Sequence, residues 1–198
     1  MDKILIASSN TNKTKEIKEI IEKNGLKIDV LCPKDFNDYS DVKEDGFSFL
    51  DNALIKANYY FDKYKIPVLA DDSGISIDYF NGFPGILSAR FLGQYDTKTK
   101  NDIILDMMKH VKNRKAHYTC CIVFKTHEYT RHYIGEFYGE ISTYQKGDYG
   151  FGYDPIFYLP EYKKNVAEIE GFKNKYGHRY IALEKWINDI KWRKYLLI

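Results

Sequence analysis

What the chain has little of narrows it first. Only three of its 198 residues are cysteine, Cys32, Cys120 and Cys121. An odd count without a C-x-x-C pair fits reduced thiols with a packing role better than a disulfide framework or a zinc site. No apolar run approaches the roughly 20 residues of a membrane span. The opening MDKILIASSN has neither the basic leader nor the cleavage site of a signal peptide, so a cytoplasmic protein with no membrane partner is expected. Charge of one sign is missing too. The formal net charge is +2, far from the basic footprint of a duplex-binding protein, so no nucleic-acid partner is expected and any polyanion must be met locally. No proline- or serine-rich linker, repeat or low-complexity tract divides the sequence, and residues 1–198 read as one domain.

Tyrosine, by contrast, is abundant, with 18 residues. Aromatics among lysines can stack single-stranded nucleic acid. Here they are scattered through every segment, which suits half-buried packing with polar tips.

Along the chain, KILIA reads as a buried strand, SSNTNK as a polar loop, and Ile17, Ile20 and Ile21 as the apolar face of a helix ending at Asn24-Gly25. A strand around residues 27–31 completes a strand-helix-strand start to an α/β fold. Ser48 with Asp51 resembles a capping box, and Phe49, Leu50, Ala53, Leu54, Ala57 and Phe61 follow at helical spacing to about Tyr64. Ile103, Ile104, Met107, Met108 and Val111 mark another amphipathic helix. AHYTCCIVFKT and RHYIGEFYGEI read as paired strands. The loop KGDYGFGYDP follows, and Ile181, Leu183, Trp186, Ile187 and Ile190 predict a closing helix. The architecture expected is mixed α/β, with the unusual residues in loops.

Four clusters and one lone lysine could carry chemistry. In SSNTNK, the hydroxyls of Ser8 and Ser9, the Asn10 side chain, the N–H groups of a helix start and Lys13 would make a phosphate cradle, although a plain helix cap with solvated lysines has the same composition. It lacks the glycines and the Gly-Lys-Ser/Thr ending of a Walker loop. Lys56 borders an apolar helical stripe, where it either snorkels to water or serves as a point charge for a phosphate. In VLADDSGISID, residues 68–78, two carboxylates, Asp71 and Asp72, sit against a strand and then a Ser-Gly turn signal. Neighbouring strand residues face opposite ways, so the two cannot both look at one ligand unless the strand ends between them, and one of the two is expected to be the direct ligand. Hard oxygens with no nearby His/Cys set favour Mg²⁺ or Mn²⁺ over zinc, with Glu44 as the candidate second carboxylate; an ordinary surface turn reads equally well. In GFGYDP, the glycines Gly150 and Gly152 allow close backbone approach, Phe151 and Tyr153 offer faces for a base, and Asp154 an acceptor. KNKYGHRY adds Lys173, His178 and Arg179, three donors or a solvated basic turn.

In this order the clusters resemble the inosine triphosphate pyrophosphatase family, also called the Ham1 or non-standard purine nucleoside triphosphate pyrophosphatase family. Its Ala-Thr-Gly-Asn-x-x-Lys-x-x-Glu appears as ASSNTNKTKE, with Lys13 and Glu16 in place. Its Glu-x-Gly-x-[ST]-Phe-x-Glu-Asn-Ala-x-x-Lys-Ala appears as EDGFSFLDNALIKA, giving Glu44 and Lys56. ADDSG, GFPGILSAR ending at Arg90, GFGYDPIF and KNKYGHR complete the set. Departures are few: Ser9 stands for a glycine, Asp51 for Glu, Phe172 for Glu and Gly177 for Ser.

The resemblance implies an ITPase-like fold, a long mixed β-sheet flanked by helices in two lobes with the nucleotide groove between them. It implies hydrolysis of ITP, dITP and XTP to the monophosphate and pyrophosphate by water attack at the α-phosphorus, clearing deaminated purine nucleotides before polymerases use them. Glu44 and Asp72 would bind Mg²⁺, with Mn²⁺ a substitute. Asp72, Asp71 and Lys56 would be the catalytic group. Ser8, Ser9, Asn10, Thr11, Asn12, Lys13, Lys56 and Ser73 would bind the triphosphate. Phe151, Gly152, Tyr153, Asp154, Lys173, His178 and Arg179 would contact the base, and Arg90 also joins the substrate-binding set. A homodimer is implied. The rival readings are a Maf-type pyrophosphatase acting on other nucleotides and a non-catalytic nucleotide- or RNA-binding module. The intact GFGYD and the His-Arg pair argue against the first, and a pure binder has no need of Glu44 and Asp72.

Overall fold

The computed structural model describes residues 2–196. Seven strands form one mixed sheet: β1 (Lys3–Ile6), β2 (Asp29–Leu31), β3 (Val68–Ile77), β4 (Lys115–Lys125), β5 (Thr130–Ile141), β6 (Phe157–Leu159) and β7 (Lys164–Asn165), in the order β2-β1-β3-β4-β5-β6-β7. β1 runs parallel to both β2 and β3, with Leu5 opposite Val68 and Ile6 opposite Leu69. β6 pairs antiparallel with β5 and with β7. The helices are α1 (Thr11–Lys23), α2 (Phe49–Tyr64), α3 (Thr97–Met107), α4 (Lys173–Tyr176) and α5 (His178–Leu196).

The chain divides into two compact units. The first contains residues 1–72, 120–135 and 179–198. Its strands are apolar on both faces, as strands between helical layers must be. Ile4, Ile6, Leu69, Cys120, Ile122 and Phe124 pack on one side with Ile17, Ile20 and Ile21 of α1 and Ala182, Leu183, Trp186 and Ile187 of α5. Leu5, Ala7, Val68, Ala70 and Val123 pack on the other with Ala53, Ala57, Tyr60 and Phe61 of α2. Each fully buried Ile or Leu here contributes about 1.5–3 kcal/mol. The alternation decides the chemistry that follows. Leu69 faces α1 and α5 while Val68 and Ala70 face α2, so parity carries Asp71 to the first face and Asp72 to the second.

Helix starts follow their sequence signals. Asn10 caps α1, its Oδ1 accepting from the N–H groups of Asn12 (3.0 Å) and Lys13 (3.3 Å). Ser48 caps α2 by accepting from the Asp51 N–H at 3.1 Å. The return arm of the expected capping box differs: the Asp51 carboxylate accepts from the Phe47 N–H at 3.2 Å, one residue before the cap.

The second unit contains residues 73–119 and 136–178. Its core gathers Ile75, Ile77, Ile104, Met108, Tyr118, Ile156, Phe157 and Phe172. Phe172, where the family has Glu, is therefore an apolar core ring. The Ser-Gly of the aspartate segment is not a turn. β3 continues through Ser73 and Gly74 to Ile77, correcting the alternative reading of Asp-Asp-Ser-Gly as an ordinary surface turn. Glycine is required at 74 because a Cβ would lie 2.3 Å from the Gly85 carbonyl oxygen and 2.4 Å from Ser88 Oγ; that approach lets Ser88 Oγ accept from the Ile75 N–H at 2.9 Å.

Candidate active site

Two neighbouring carboxylates in one strand are tolerable because different cations hold them. Asp71 is fully buried. One of its oxygens, Oδ2, lies 3.1 Å from Lys13 Nζ and accepts from Arg179 Nη2 (3.1 Å) and Nε (3.3 Å). Burial alone would raise this carboxyl, but Lys13 and Arg179 outweigh it and hold it well below the usual carboxylate range. Arg179 is itself buried, and its Nη1 donates to Glu16 Oε2 at 2.6 Å. Burial disfavours its charge, whereas Glu16 and Asp71 reverse that and raise it. Lys13 and Glu16 are one turn apart on α1, so the helix presents both ends of this four-residue network to one face.

Asp72 faces α2. Its Oδ2 accepts from the Asn52 amide at 2.9 Å, and its Oδ1 lies 4.0 Å from Lys56 Nζ. The same ammonium donates to Glu44 Oε2 at 3.0 Å. Desolvation raises the Asp72 carboxyl and Glu44 adds to it, against the lowering pull of Lys56, Lys13 and Asn52. Lys56, at 7% exposure, does not snorkel; it stands between two carboxylates. Asn52, one turn before Lys56, stands at the Asn of the family pattern but was given no role from the sequence. The signal is a polar residue among the apolar positions of α2, directly below the lysine.

These two carboxylates suit Mg²⁺. They are hard oxygen donors that share the Lys56 ammonium. Among the described residues no group of three or more His, Cys, Asp or Glu could hold a metal ion, and Mg²⁺ is commonly held by one or two carboxylates with substrate phosphates completing the shell.

The expected phosphate loop departs in one respect from a cradle of open donors. The Asn10 side chain is used as the helix cap, and Ser8 Oγ accepts from the Asn10 N–H at 3.2 Å. Ser9, Asn10, Thr11 and Asn12 are exposed, and the Lys13 ammonium is on Asp71.

The base-recognition candidates gather in the second unit. Asp154 is fully buried and accepts from the Phe151 N–H (2.8 Å) and the Tyr118 hydroxyl (3.0 Å), with Lys173 Nζ at 2.7 Å. Gly150 and Gly152 have φ of +78° and +66°. At 150 a Cβ would fall 2.2 Å from Asp154 Oδ2, so this glycine makes room for the carboxylate. The Lys173 ammonium stands 4.3 Å from the centroid of the Phe151 ring and 5.3 Å from that of Tyr118. The Tyr118 ring stacks on His178 at 4.7 Å and 11°. Tyr118 was not distinguished in sequence from the other tyrosines. Tyr153 donates its hydroxyl to the Ser88 carbonyl at 2.7 Å, and burial pushes its pKa up to about 12. Gly177, where the family has Ser, packs against Lys173: a Cβ there would lie 2.8 Å from the Lys173 carbonyl oxygen.

The predicted residues thus fall into two groups. Lys13, Asp71 and Arg179 form one ionic network, and Glu44, Lys56 and Asp72 another within the same unit. Phe151, Asp154, Lys173 and His178 meet around Tyr118. Ser73 is half buried on β3. Arg90 is exposed, its Nη2 3.5 Å from the Ile86 carbonyl. Arg179, expected beside a base, has its guanidinium on Glu16 and Asp71.

The Ham1 family model matches residues 4–189. The chain is 41% identical over 202 residues to the dITP/XTP pyrophosphatase of Clostridium perfringens, covering 96% of this chain and 98% of that protein. The Staphylococcus aureus Ham1 protein superposes with a TM-score of 0.86 at 30% identity, over 97% of this chain and 100% of that one. A HAM1 protein from Coxiella burnetii gives 0.86 at 31%, over 96% and 99%. With its motifs, sheet and full-length relatives in agreement, the chain belongs to the Ham1 family.

Proposed function

We propose that this protein is a nucleoside triphosphate pyrophosphatase acting on non-standard purine nucleotides, dITP, ITP and XTP. The observation that carries the reading is the convergence of Glu44 and Asp72 on one buried ammonium, Lys56. A binding module has no use for a buried and a half-buried carboxylate sharing one lysine, whereas phosphoryl transfer to water needs a pair of metal ligands, a base and a cation together.

Water attacks the α-phosphorus. A new P–O bond forms, the bond from the α-phosphorus to the α–β bridging oxygen breaks, and pyrophosphate leaves with that electron pair. Asp72, whose carboxyl is raised by burial, orients the water and accepts its proton. Lys56 and Lys13 offset the charge on the phosphate chain, Lys13 being held by Asp71, which Arg179 in turn fixes. Glu44 and Asp72 would hold Mg²⁺, or Mn²⁺ in its stead, which when bound neutralises phosphate charge and eases departure of pyrophosphate. The side chains and backbone of residues 8–13, with Ser73, serve the triphosphate.

At the base, Phe151 offers its ring for stacking, while Lys173 and His178 are the donors for a 6-oxo group. Adenine presents an amino donor there instead, leaving buried donors unpaired, a mismatch that costs up to roughly 10⁴-fold in discrimination. The homodimer and the cytoplasmic location belong to the same proposal; light scattering tests the first. No helix among the described residues is long and apolar enough to cross a membrane. The test of the activity is Mg²⁺-dependent product release from dITP, XTP, GTP and ATP in parallel. Pyrophosphate and monophosphate from dITP and XTP, lost in EDTA, are expected; orthophosphate would move the attack to the γ-phosphorus and overturn the mechanism.

A further inference from the structure

Asn52 makes two hydrogen bonds to two different parts of the candidate metal site. Its side chain is fully buried on α2. At one end Nδ2 donates to Asp72 Oδ2 at 2.9 Å; at the other Oδ1 accepts from the Gly46 N–H, also at 2.9 Å. Gly46 lies two residues beyond Glu44. The amide orientation follows from chemistry: a backbone N–H can only donate, so the oxygen must face Gly46 and the NH₂ must face the carboxylate.

A second observation concerns the loop. A Cβ on Gly46 would lie 2.5 Å from Asp51 Cβ, 2.9 Å from Asn52 Oδ1 and 3.0 Å from the Asn52 backbone nitrogen. Only glycine brings residue 46 this close to the start of α2. The next N–H, of Phe47, is held by Asp51. The chain that follows Glu44 is therefore anchored to α2 at two consecutive positions, and the inner anchor is the amide that also holds Asp72.

We propose that Asn52 is a positioning residue that fixes the spacing of the Glu44 and Asp72 carboxylates, so that a divalent cation meets a preformed pair. The role rests on the reading of those two residues as the metal ligands. No other small side chain serves both ends. Aspartate would set a carboxylate against Asp72, leucine would leave both the Gly46 N–H and the Asp72 oxygen without this partner, and serine is too short to span them. Outer partners of metal-binding carboxylates act by aiming the ligand, and losing one typically weakens metal binding by about 10–100-fold.

The experiment uses the full-length protein, Asn52→Ala, Gly46→Ala and the double variant, each shown to be folded by its thermal melt. Mn²⁺ binding is followed by electron paramagnetic resonance in the presence of α,β-methylene dITP, and Mg²⁺ dependence is measured for dITP hydrolysis. Asn52→Ala is expected to weaken Mn²⁺ binding and raise the Mg²⁺ half-saturation by about 10–100-fold, with turnover at saturating Mg²⁺ within several-fold of wild type. Gly46→Ala should do the same although it removes no polar side chain, and the double variant should be no worse than the more severe single change, because both break one strut. A folded Asn52→Ala with Mn²⁺ affinity and Mg²⁺ half-saturation within about twofold of wild type overturns the role, as does a fall in saturated turnover alone. If Asn52→Ala does not fold, Gly46→Ala decides by the same criteria. Should wild type release no pyrophosphate from any nucleotide, the enzymatic reading falls, and the Mn²⁺ titration still decides the spacing role.

Discussion

Arg179 and Lys13 approach the same oxygen of Asp71, at 3.1 Å each, and neither Arg179 nor Asp71 is exposed beyond 1%. One carboxylate oxygen thus bridges two cations from α1 and α5, the helices packed on that face of the sheet, and Glu16 supplies the second negative charge. Removing one member of a buried ionic network leaves uncompensated charge, which typically costs about 3–5 kcal/mol. Asp71→Asn is accordingly expected to lose that much stability in urea denaturation at neutral pH. A loss below about 1 kcal/mol would show that Glu16 alone can satisfy Arg179.

Asp72, the next residue, should behave in the opposite way. Its carboxyl is raised by burial, so the folded state disfavours its charge: the stability present below the unfolded pKa is lost as pH rises through the raised folded pKa. The neutral isostere removes that cost. Asp72→Asn is expected to melt at or above the wild-type temperature in EDTA at pH 7 while losing about 10²–10⁴ in turnover. Near-native turnover at saturating Mg²⁺ would remove Asp72 from the chemistry, and a large fall in melting temperature would make its role structural.

How much of this the sequence disclosed depends on the residue. The helix caps at Asn10 and Ser48, the stripe of α2 and the closing helix were legible because local periodicity and capping chemistry determine them. The faces of Asp71 and Asp72 were half legible: strand parity separates them, but which helix each meets is set by the parallel pairing of β1 with β3. The continuation of β3 through Ser73 and Gly74 was hidden. Ser-Gly is ordinarily a turn signal, and it is overridden here because only a glycine fits at 74, where a Cβ would lie 2.3 Å from the Gly85 carbonyl oxygen and 2.4 Å from Ser88 Oγ. Arg179 and His178 read as a pair of donors, yet adjacent residues at a helix start diverge by about 100° around the axis. One stacks on Tyr118 and the other pairs with Glu16 and Asp71. Asn52 was invisible as chemistry because its partners are 6 and 20 positions away.

Phe151 is the half-buried partner of a buried polar cluster, its N–H held by Asp154 and one ring face beneath Lys173. Truncating it should remove stacking without disturbing the carboxylates of the other unit. Base stacking on an aromatic ring contributes about 1–3 kcal/mol, so Phe151→Ala is expected to raise KM for dITP by roughly 10-fold or more while changing kcat much less. Steady-state kinetics with dITP and XTP measure both constants; an equal fall in kcat and kcat/KM would mean that the ring acts only in the transition state.

Asp38 offers a pH test of the segment that leads into the Glu44 loop. Its carboxylate accepts from Lys63 Nζ (2.8 Å), the Tyr64 hydroxyl (2.7 Å), and the Ser40 hydroxyl (2.5 Å) and N–H (3.0 Å). The hydrogen bond from Lys63, then those from Ser40 and Tyr64, hold it well below the ordinary carboxylate range. A depressed folded pKa contributes stability that is present above the unfolded value of about 3.9 and is lost as pH falls through the folded one. Asp38→Asn keeps the shape but not the charge, so its melting temperature should lie a few degrees below wild type at pH 7. As the pH is lowered below about 4 the two melting curves should converge, because wild type is then losing the charge that the variant never had. Other buried carboxylates, Asp71 among them, titrate in both proteins and cancel from the difference. A gap that stays constant from neutral pH into strong acid would mean that shape, and not the ionised carboxylate, holds residues 38–40 against α2.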